Sequence, residues 1–282
     1  MTTSFKRWTQ LGLGAALASG TLVACGSPEA PAGDTETEIT AETPPAPAAV
    51  AGEGEGEGEG EGGEGEGGVA ISQAATDPVV FLSALAITEA HIIAARDAHA
   101  LGENDAAAEM FAHPVSEVLF DIQPVFEQLG VTDFSDLLTE TSAAIFAGET
   151  PAEIGVRADA IIAALRTAAE KAPATDASDA SIAAGVAVDQ IERAADMYRI
   201  ALDSDAYEPY LDGYGFYKAG EAVFLESADA IAAEDTTAAA AITDAIATLA
   251  EAYPSAVRPD SLDADLAAVT VAASNAVLAV QN

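Results

Sequence analysis

The sequence has few residues suited to covalent cross-linking or to binding anions. Its 282 residues include one cysteine, three histidines and one tryptophan, and 10 Lys and Arg stand against 47 Asp and Glu. A single cysteine allows no intrachain disulfide, so packing has to hold the fold. The negative charge repels phosphate backbones and therefore argues against nucleic-acid binding. It attracts cations or basic partners, or forms only a solvated acidic surface.

Strand signals and catalytic motifs are missing as well. After residue 68 we find no alternating runs of β-branched and aromatic residues and no Asn-Gly hairpin turn. A nucleophile elbow, an HExxH zinc motif, a CxxCH haem motif and a phosphate-binding glycine loop are all absent from the sequence. We therefore predict an all-α protein that is not an enzyme.

The first 25 residues have the pattern of a secretory signal. Lys6 and Arg7 precede a short apolar run, 11–23, which is too short for a stable membrane span. The run ends in Leu22-Val23-Ala24-Cys25-Gly26, which resembles a bacterial lipobox; the alternative is an ordinary signal with a chance cysteine. The resemblance implies lipidation of Cys25, and glycine rather than aspartate at the next position implies an outer-membrane location facing the periplasm. Acyl chains anchor well because each buried CH2 contributes about 0.8 kcal/mol.

Residues 26–68 are of low complexity. A Pro/Ala/Thr/Glu segment is followed by a Gly-Glu alternation from Gly52 to Gly68. This composition offers no apolar face to offset chain entropy, so we predict a disordered tether. Repulsion between the glutamates should extend it and hold the rest of the chain away from the membrane. The first 68 residues hold 12 of the 47 acidic and 2 of the 10 basic residues, which leaves about −27 on residues 69–282.

Helix signals fill residues 69–282. Asp77 before Pro78 predicts a helix start, and Thr150 with Glu153 predicts a capping box. Apolar residues at alternating spacings of four and three are typical of bundle helices. The predicted helices cover about 78–101, 105–129, 134–147, 151–171, 181–202, 206–233, 237–252 and 262–280. Pro114 and Pro124 should kink the second helix or break it.

The helices fall into two similar halves, residues 75–173 and 178–282. The segment AITEAHIIAARDAHALGEND matches VAVDQIERAADMYRIALDSD, about 100 residues later, in its apolar and acidic positions. We therefore predict an antiparallel helical bundle of two duplicated four-helix units. Alanine-rich helices also align by chance, so this similarity has a second explanation.

The three histidines lie in the first predicted helical hairpin. At a rise of about 1.5 Å per residue, His91 lies level with His113 and Glu117 across the turn. His99 is eight residues from His91, about 12 Å along the axis, and cannot share an ion with it. His113 and Glu117 lie four residues apart on one helix face, which suits a shared iron or other transition metal. The alternative is three ordinary histidines.

The second unusual segment is AYEPYLDGYGFYKAGEAVF in the sixth helix, at the repeat position of 113–121. Its tyrosines, Tyr207, Tyr210, Tyr214 and Tyr217, share one helix face. Phenolate oxygens are ligands for ferric iron, so Tyr214 and Tyr217 are further candidate ligands. The alternative is an aromatic packing stripe with hydroxyls at its rim.

With a lipobox, a duplicated helical bundle and a His/Glu pair, the chain resembles imelysin-like and EfeO-like periplasmic iron-uptake proteins. Those families carry a GxHxxE signature, whereas residues 112–117 here read Ala-His-Pro-Val-Ser-Glu, with HxxxE spacing and no glycine. The resemblance implies capture of iron or an iron compound for an uptake component, without turnover. His113 and Glu117 are the residues it carries over.

We therefore expect an outer-membrane-anchored lipoprotein that binds iron or another transition metal through His91, His113 and Glu117, with Tyr214 and Tyr217 as contributors. The alternative is a lipoprotein without a metal that presents an acidic helical surface to a protein partner.

Overall fold

The structure, a computed structural model, describes residues 70–281, and no β-strand occurs among them. The predicted all-α class is confirmed. The helices are α1, Ile71–Ala74; α2, Pro78–Ala100; α3, Asn104–Pro114; a π-helical segment, Val115–Leu119; α4, Phe120–Leu129; α5, Ser135–Phe146; α6, Pro151–Ala169; α7, Asp179–Leu202; α8, Glu208–Glu234; α9, Thr236–Ala252; and α10, Leu266–Gln281. The predicted signal sequence, lipobox Cys25 and tether lie outside the described residues.

Several helix ends follow the local signals of the sequence. The Asp77 carboxylate accepts hydrogen bonds from the amides of Val79 and Val80 at the start of α2. Thr150 and Glu153 form the predicted capping box of α6. Gly130 ends α4 with φ 73°, in the left-handed region that glycine enters without strain. These ends are local events, which explains why they were predictable.

The second predicted helix is divided into three parts. Pro114 is the last residue of α3, and the wider π turn that follows carries Glu117. Pro124, by contrast, lies inside α4, which continues to Leu129. Of the two predicted outcomes, Pro124 does not produce a break, and a kink at this residue stays a prediction. Its missing N–H removes only a bond to the Phe120 carbonyl, at the start of α4, where the π segment has already changed the hydrogen-bond register.

The helices pack in two closed sets around a shared central helix. In the first set α2 contacts α3, α3 contacts α5, α5 contacts α6, and α6 returns to α2. In the second set α7, α8, α9 and α10 follow one another, and α10 returns to α7. Helix α2 also contacts α7 and α8, which joins the two sets. The arrangement is bundle-like, and an origin by duplication stays a prediction.

Helix α2 is buried on almost all sides. The residues of α2 that follow the alternating spacing of four and three are all buried: Phe81, Leu85, Thr88, Ile92, Ala95 and His99. The opposite faces are buried too, including the charged Glu89. By length and composition α2 is, among the described helices, the one that could cross a membrane, and most of its apolar stretch is packed inside the protein. Its central position therefore accounts for its apolar character.

Candidate metal site

Four helical segments bring a group of histidines and carboxylates together. His91 lies in the middle of α2, His113 in the last turn of α3, and Glu117 in the π segment that follows. Glu208 and Asp212 lie four residues apart in the first turns of α8. These side chains share one small region because α2 packs against both the α3 hairpin and α8.

Close approach of α8 to α2 depends on Gly215. A Cβ atom at this position would lie 2.4 Å from the Ala90 carbonyl oxygen and 3.1 Å from the Ala94 Cβ. Both distances are tighter than ordinary contact, and the nearer atom is backbone. Gly215 is three residues after Asp212, and Ala90 immediately precedes His91. The glycine therefore sets the separation at which Asp212 meets His91.

His91 presents one ring nitrogen to this region as an acceptor. Its Nδ1–H donates to the Ile87 carbonyl oxygen at 2.8 Å, and because a carbonyl can only accept, this bond places the proton on Nδ1. The Nε2 lone pair is left facing the carboxylates. Burial, with smaller contributions from His113 and Arg193, lowers the pKa of His91 to about 4. The imidazole is therefore neutral near pH 7, the form that binds metals.

Two carboxylate oxygens face that nitrogen. Asp212 Oδ1 lies 3.6 Å from His91 Nε2, and Glu117 Oε2 lies 3.7 Å from it. Both distances exceed a normal hydrogen bond. Two donors that bind one ion at about 2.1 Å lie roughly 3.0 to 4.2 Å apart, depending on the angle between the bonds. The separations thus suit ligands around a common cation better than hydrogen-bond partners.

Asp212 is a largely buried carboxylate that forms no ion pair with a lysine or an arginine among the described residues. Its Oδ1 is buried and accepts no hydrogen bond within the described part of the chain. Burial first, and then the nearby carboxylates of Glu208, Glu117 and Glu109, raise the pKa of Asp212 to about 8. A buried, unsatisfied charge costs several kcal/mol unless it takes up a proton or a cation. Near neutral pH the site is therefore prepared to exchange a proton for a metal ion.

His113 occupies a similar environment nearer the surface. Its Nδ1 lies 3.8 Å from Glu117 Oε1 and 3.7 Å from Glu208 Oε1, and its Nε2 lies 3.6 Å from Glu109 Oε1. One ligand atom each of His91, His113 and Asp212 fall within 4.8 Å of one another. Imidazole nitrogens with carboxylate oxygens are a donor set for iron, manganese and related divalent metals.

The candidate residues from the sequence do not all meet here. His91, His113 and Glu117 come together, whereas the Tyr214 hydroxyl donates to Asp97 and the Tyr217 hydroxyl to Glu221. Asp97 lies six residues beyond His91 on α2, roughly 9 Å along the axis. The hydroxyls of Tyr214 and Tyr217 thus bond to carboxylates other than those around His91, and their assignment as contributing ligands stays a prediction.

The other tyrosines of the stripe also have structural roles. Tyr207 and Tyr210 donate to the carbonyls of Ala256 and Ser255, in the segment between α9 and α10. This is the aromatic packing stripe that the sequence offered as the alternative. His99 Nδ1 bonds to the Asn104 side chain, and its Nε2 to the Glu149 carbonyl, so its role is local as well.

Sequence reasoning missed Asp212 and Glu208. They stand inside the tyrosine-rich segment, and their four-residue spacing is the signal that could have found them. Glu109, His113 and Glu117 form a second ladder at the same spacing. Neither ladder reveals its partner, because the contact between α3 and α8 joins residues about 100 positions apart.

Comparisons with protein-family models, with curated proteins and with solved structures found no match to this chain. The resemblance to imelysin-like and EfeO-like proteins therefore stays a prediction.

Proposed function

We propose that this protein binds iron or a chemically similar transition metal at the cluster of His91, Asp212, Glu117 and His113, and delivers it to a metal-uptake component without turnover. The observation that carries the proposal is the pairing of the His91 Nε2 lone pair with the unsatisfied, buried Oδ1 of Asp212 at 3.6 Å. A lone pair and a carboxylate repel each other unless a proton or a metal ion lies between them.

The composition of the cluster favours a hard or borderline cation. Nitrogen and carboxylate oxygen suit Mn(II), Fe(II) and Zn(II), whereas sites selective for Cu(I) use sulfur ligands. The Ile87 carbonyl fixes the ring of His91 in the manner typical of metal-binding histidines. Only three of the 282 residues are histidines, so the proximity of two of them to four carboxylates is not a general feature of the surface.

The proposed location follows from the N-terminal sequence. Lipidation at Cys25 anchors the chain to the outer membrane, and the tether of residues 26–68 holds the metal-binding part in the periplasm. Labelling of the wild type and of Cys25→Ser with a radioactive fatty acid tests this. We expect label in the wild type alone; label in both, or in neither, contradicts the anchor.

Metal binding is tested with the full chain, stripped of metal and titrated anaerobically with Fe(II) and Mn(II) by calorimetry. Loss of a ligand should weaken binding at least about 10- to 100-fold, since even outer partners of metal ligands have effects of this size. His91→Ala removes a ligand, and Asp212→Asn does so with almost no change of shape. Asp229→Asn, on an exposed position of the same helix, is the matched charge control.

Equal affinities in the wild type, His91→Ala and Asp212→Asn would contradict this site. No binding in the wild type would contradict metal binding altogether and leave the alternative, a lipoprotein that presents an acidic helical surface to a protein partner.

A further inference from the structure

The two histidines of the cluster have equivalent surroundings. His91 Nε2 faces one oxygen of Glu117 and one of Asp212, at 3.7 and 3.6 Å. His113 Nδ1 faces the other oxygen of Glu117 and one of Glu208, at 3.8 and 3.7 Å. Each imidazole thus has its own terminal carboxylate, and the two share Glu117.

The orientation of Glu117 separates these two sets. Its Oε2 is the oxygen near His91, and its Oε1 is the oxygen near His113. A carboxylate that directs its two oxygens to different sets of donors is arranged as a bridge between two ions, which in dinuclear sites lie about 3.5 to 4 Å apart. A single ion at His91 would use one of these oxygens and would leave the other directed at His113.

The second nitrogen of each histidine faces an oxygen. For His91 it is the Ile87 carbonyl, which accepts a hydrogen bond at 2.8 Å, whereas for His113 it is Glu109 Oε1, 3.6 Å from Nε2 and beyond hydrogen-bond range. The bond to Ile87 selects the tautomer of His91 that leaves Nε2 for a metal. In His113, Nδ1 is the nitrogen that faces two carboxylates, so we assign it as the donor atom.

The charges of the outer carboxylates call for a cation of their own. The ion pairs that the described residues offer to Glu109 and to Glu208 are both with His113, and neither involves a lysine or an arginine. We call the space between His91 and Asp212 the inner position. A cation bound there does not neutralise the charges of Glu109 and Glu208. Glu208 is 54% exposed, whereas Asp212 is 16% exposed, so the outer position opens to solvent.

We propose that the cluster is a dinuclear site for two divalent cations of the manganese and iron class. His91 and Asp212 hold the inner ion, His113 and Glu208 hold the outer ion, and Glu117 bridges them. This inference rests on the proposed function, which itself requires only the inner ion.

The test uses Mn(II) with the metal-free full chain. Equilibrium dialysis gives the number of tightly bound ions, and electron paramagnetic resonance shows whether they are coupled. We expect two ions and the many-line spectrum of an exchange-coupled pair. Glu208→Gln should weaken the second ion at least about 10-fold and leave the first, so that the six-line spectrum of a single ion appears. Glu117→Gln should abolish the coupling.

The matched control is Glu127→Gln, which removes the same charge from an exposed position of α4. It should behave as the wild type does, and weak binding by the Gly-Glu run is common to all variants. One tight ion that is lost in Asp212→Asn overturns the dinuclear site and leaves the proposed function standing. Two uncoupled ions that Glu208→Gln does not affect also overturn it. No tight ion in the wild type overturns both proposals.

Discussion

Glu89, on α2, and Asp212, on α8, are carboxylates with little exposure to solvent, and their charges have different partners. Arg166 donates two hydrogen bonds to Glu89, at 2.8 and 2.9 Å, in the planar arrangement that suits a carboxylate. Asp212 has no such partner, and its buried Oδ1 faces the unprotonated nitrogen of His91. Burial raises the pKa of both groups.

This difference separates a structural charge from a functional one. Arg166, a residue of α6, neutralises the Glu89 charge. This ion pair links the central helix α2 to α6. No lysine or arginine of the described residues neutralises the Asp212 charge, so a proton or an external cation has to do so. The predictions that follow test whether the two carboxylates really differ in this way.

The largest effect is expected from Asp212→Asn in the metal-free protein. Folded Asp212 keeps its proton up to about pH 8, whereas an unfolded aspartate loses it near pH 4. Between these values the folded state binds more protons, so the free energy of unfolding of the wild type falls as pH rises. The variant does not titrate there and should gain, relative to wild type, on the order of 4 kcal/mol between pH 4 and pH 8.

Urea unfolding across this range, in the presence of a chelator, measures the gain. Asp229→Asn should stay within about 0.5 kcal/mol of the wild type at every pH. Parallel curves for the wild type and Asp212→Asn would show that Asp212 is not held protonated.

The second-largest change in stability is expected when Mn(II) is added to the metal-free protein. Mn(II) at 100 times its dissociation constant should stabilise the wild type by about 2.7 kcal/mol, because it binds only the folded state. Asp212→Asn should gain much less at the same concentration. Thermal unfolding with and without Mn(II) gives both values, and an equal gain in the two proteins would argue for binding elsewhere.

Arg166→Ala should change the free energy of unfolding in the opposite direction to Asp212→Asn. It leaves the Glu89 carboxylate buried without its partner, which we expect to lower the free energy of unfolding by about 2.5 kcal/mol at pH 7, discounted because Arg166 is 46% exposed. The loss should shrink at pH 4, where Glu89 takes up a proton. Arg199→Ala, from an exposed pair with Asp196, is the control and should have almost no effect. Unchanged stability would mean that Arg166 does not neutralise Glu89, so that this carboxylate, like Asp212, would lack a cationic partner.

Gly215→Ala tests the approach of α8 to α2 that puts Asp212 in place. The added methyl would clash with the Ala90 carbonyl, so we expect a loss of about 2 kcal/mol and weaker Mn(II) binding. Gly155→Ala is the matched control, because α6 has open space there and alanine favours a helix. Normal Mn(II) affinity in Gly215→Ala would show that the site tolerates a shift of α8.

The smallest effect is expected from Arg166→Lys, which keeps the charge but loses the two-bond geometry. We expect a loss of about 1 kcal/mol in urea unfolding, clearly less than for Arg166→Ala. Equal losses for both variants would assign the whole contribution to geometry rather than to charge.

Much of the fold was readable from the sequence, and about half of the candidate site. Helix starts at Asp77 and Thr150 and the helix end at Gly130 depend on neighbours within a few residues, so the sequence contains their cause. The hairpin geometry also indicated that His91 lies level with His113. The role of Asp212 could not be predicted in this way. Its proximity to His91 results from the packing of α8 against α2, and the two residues are more than 100 positions apart in the sequence.

By itself the sequence determined that the described part of the chain is helical and where most of its helices begin and end, because caps, glycines and apolar spacing act over one or two turns. The tertiary structure decided which carboxylate meets which histidine. It also decided that the tyrosine stripe binds backbone and other carboxylates, and that Glu89 has an arginine whereas Asp212 has none. The reason is physical: a side chain's charge, protonation and partners are set by what neighbouring helices bring within about 4 Å, and that distance is a property of packing.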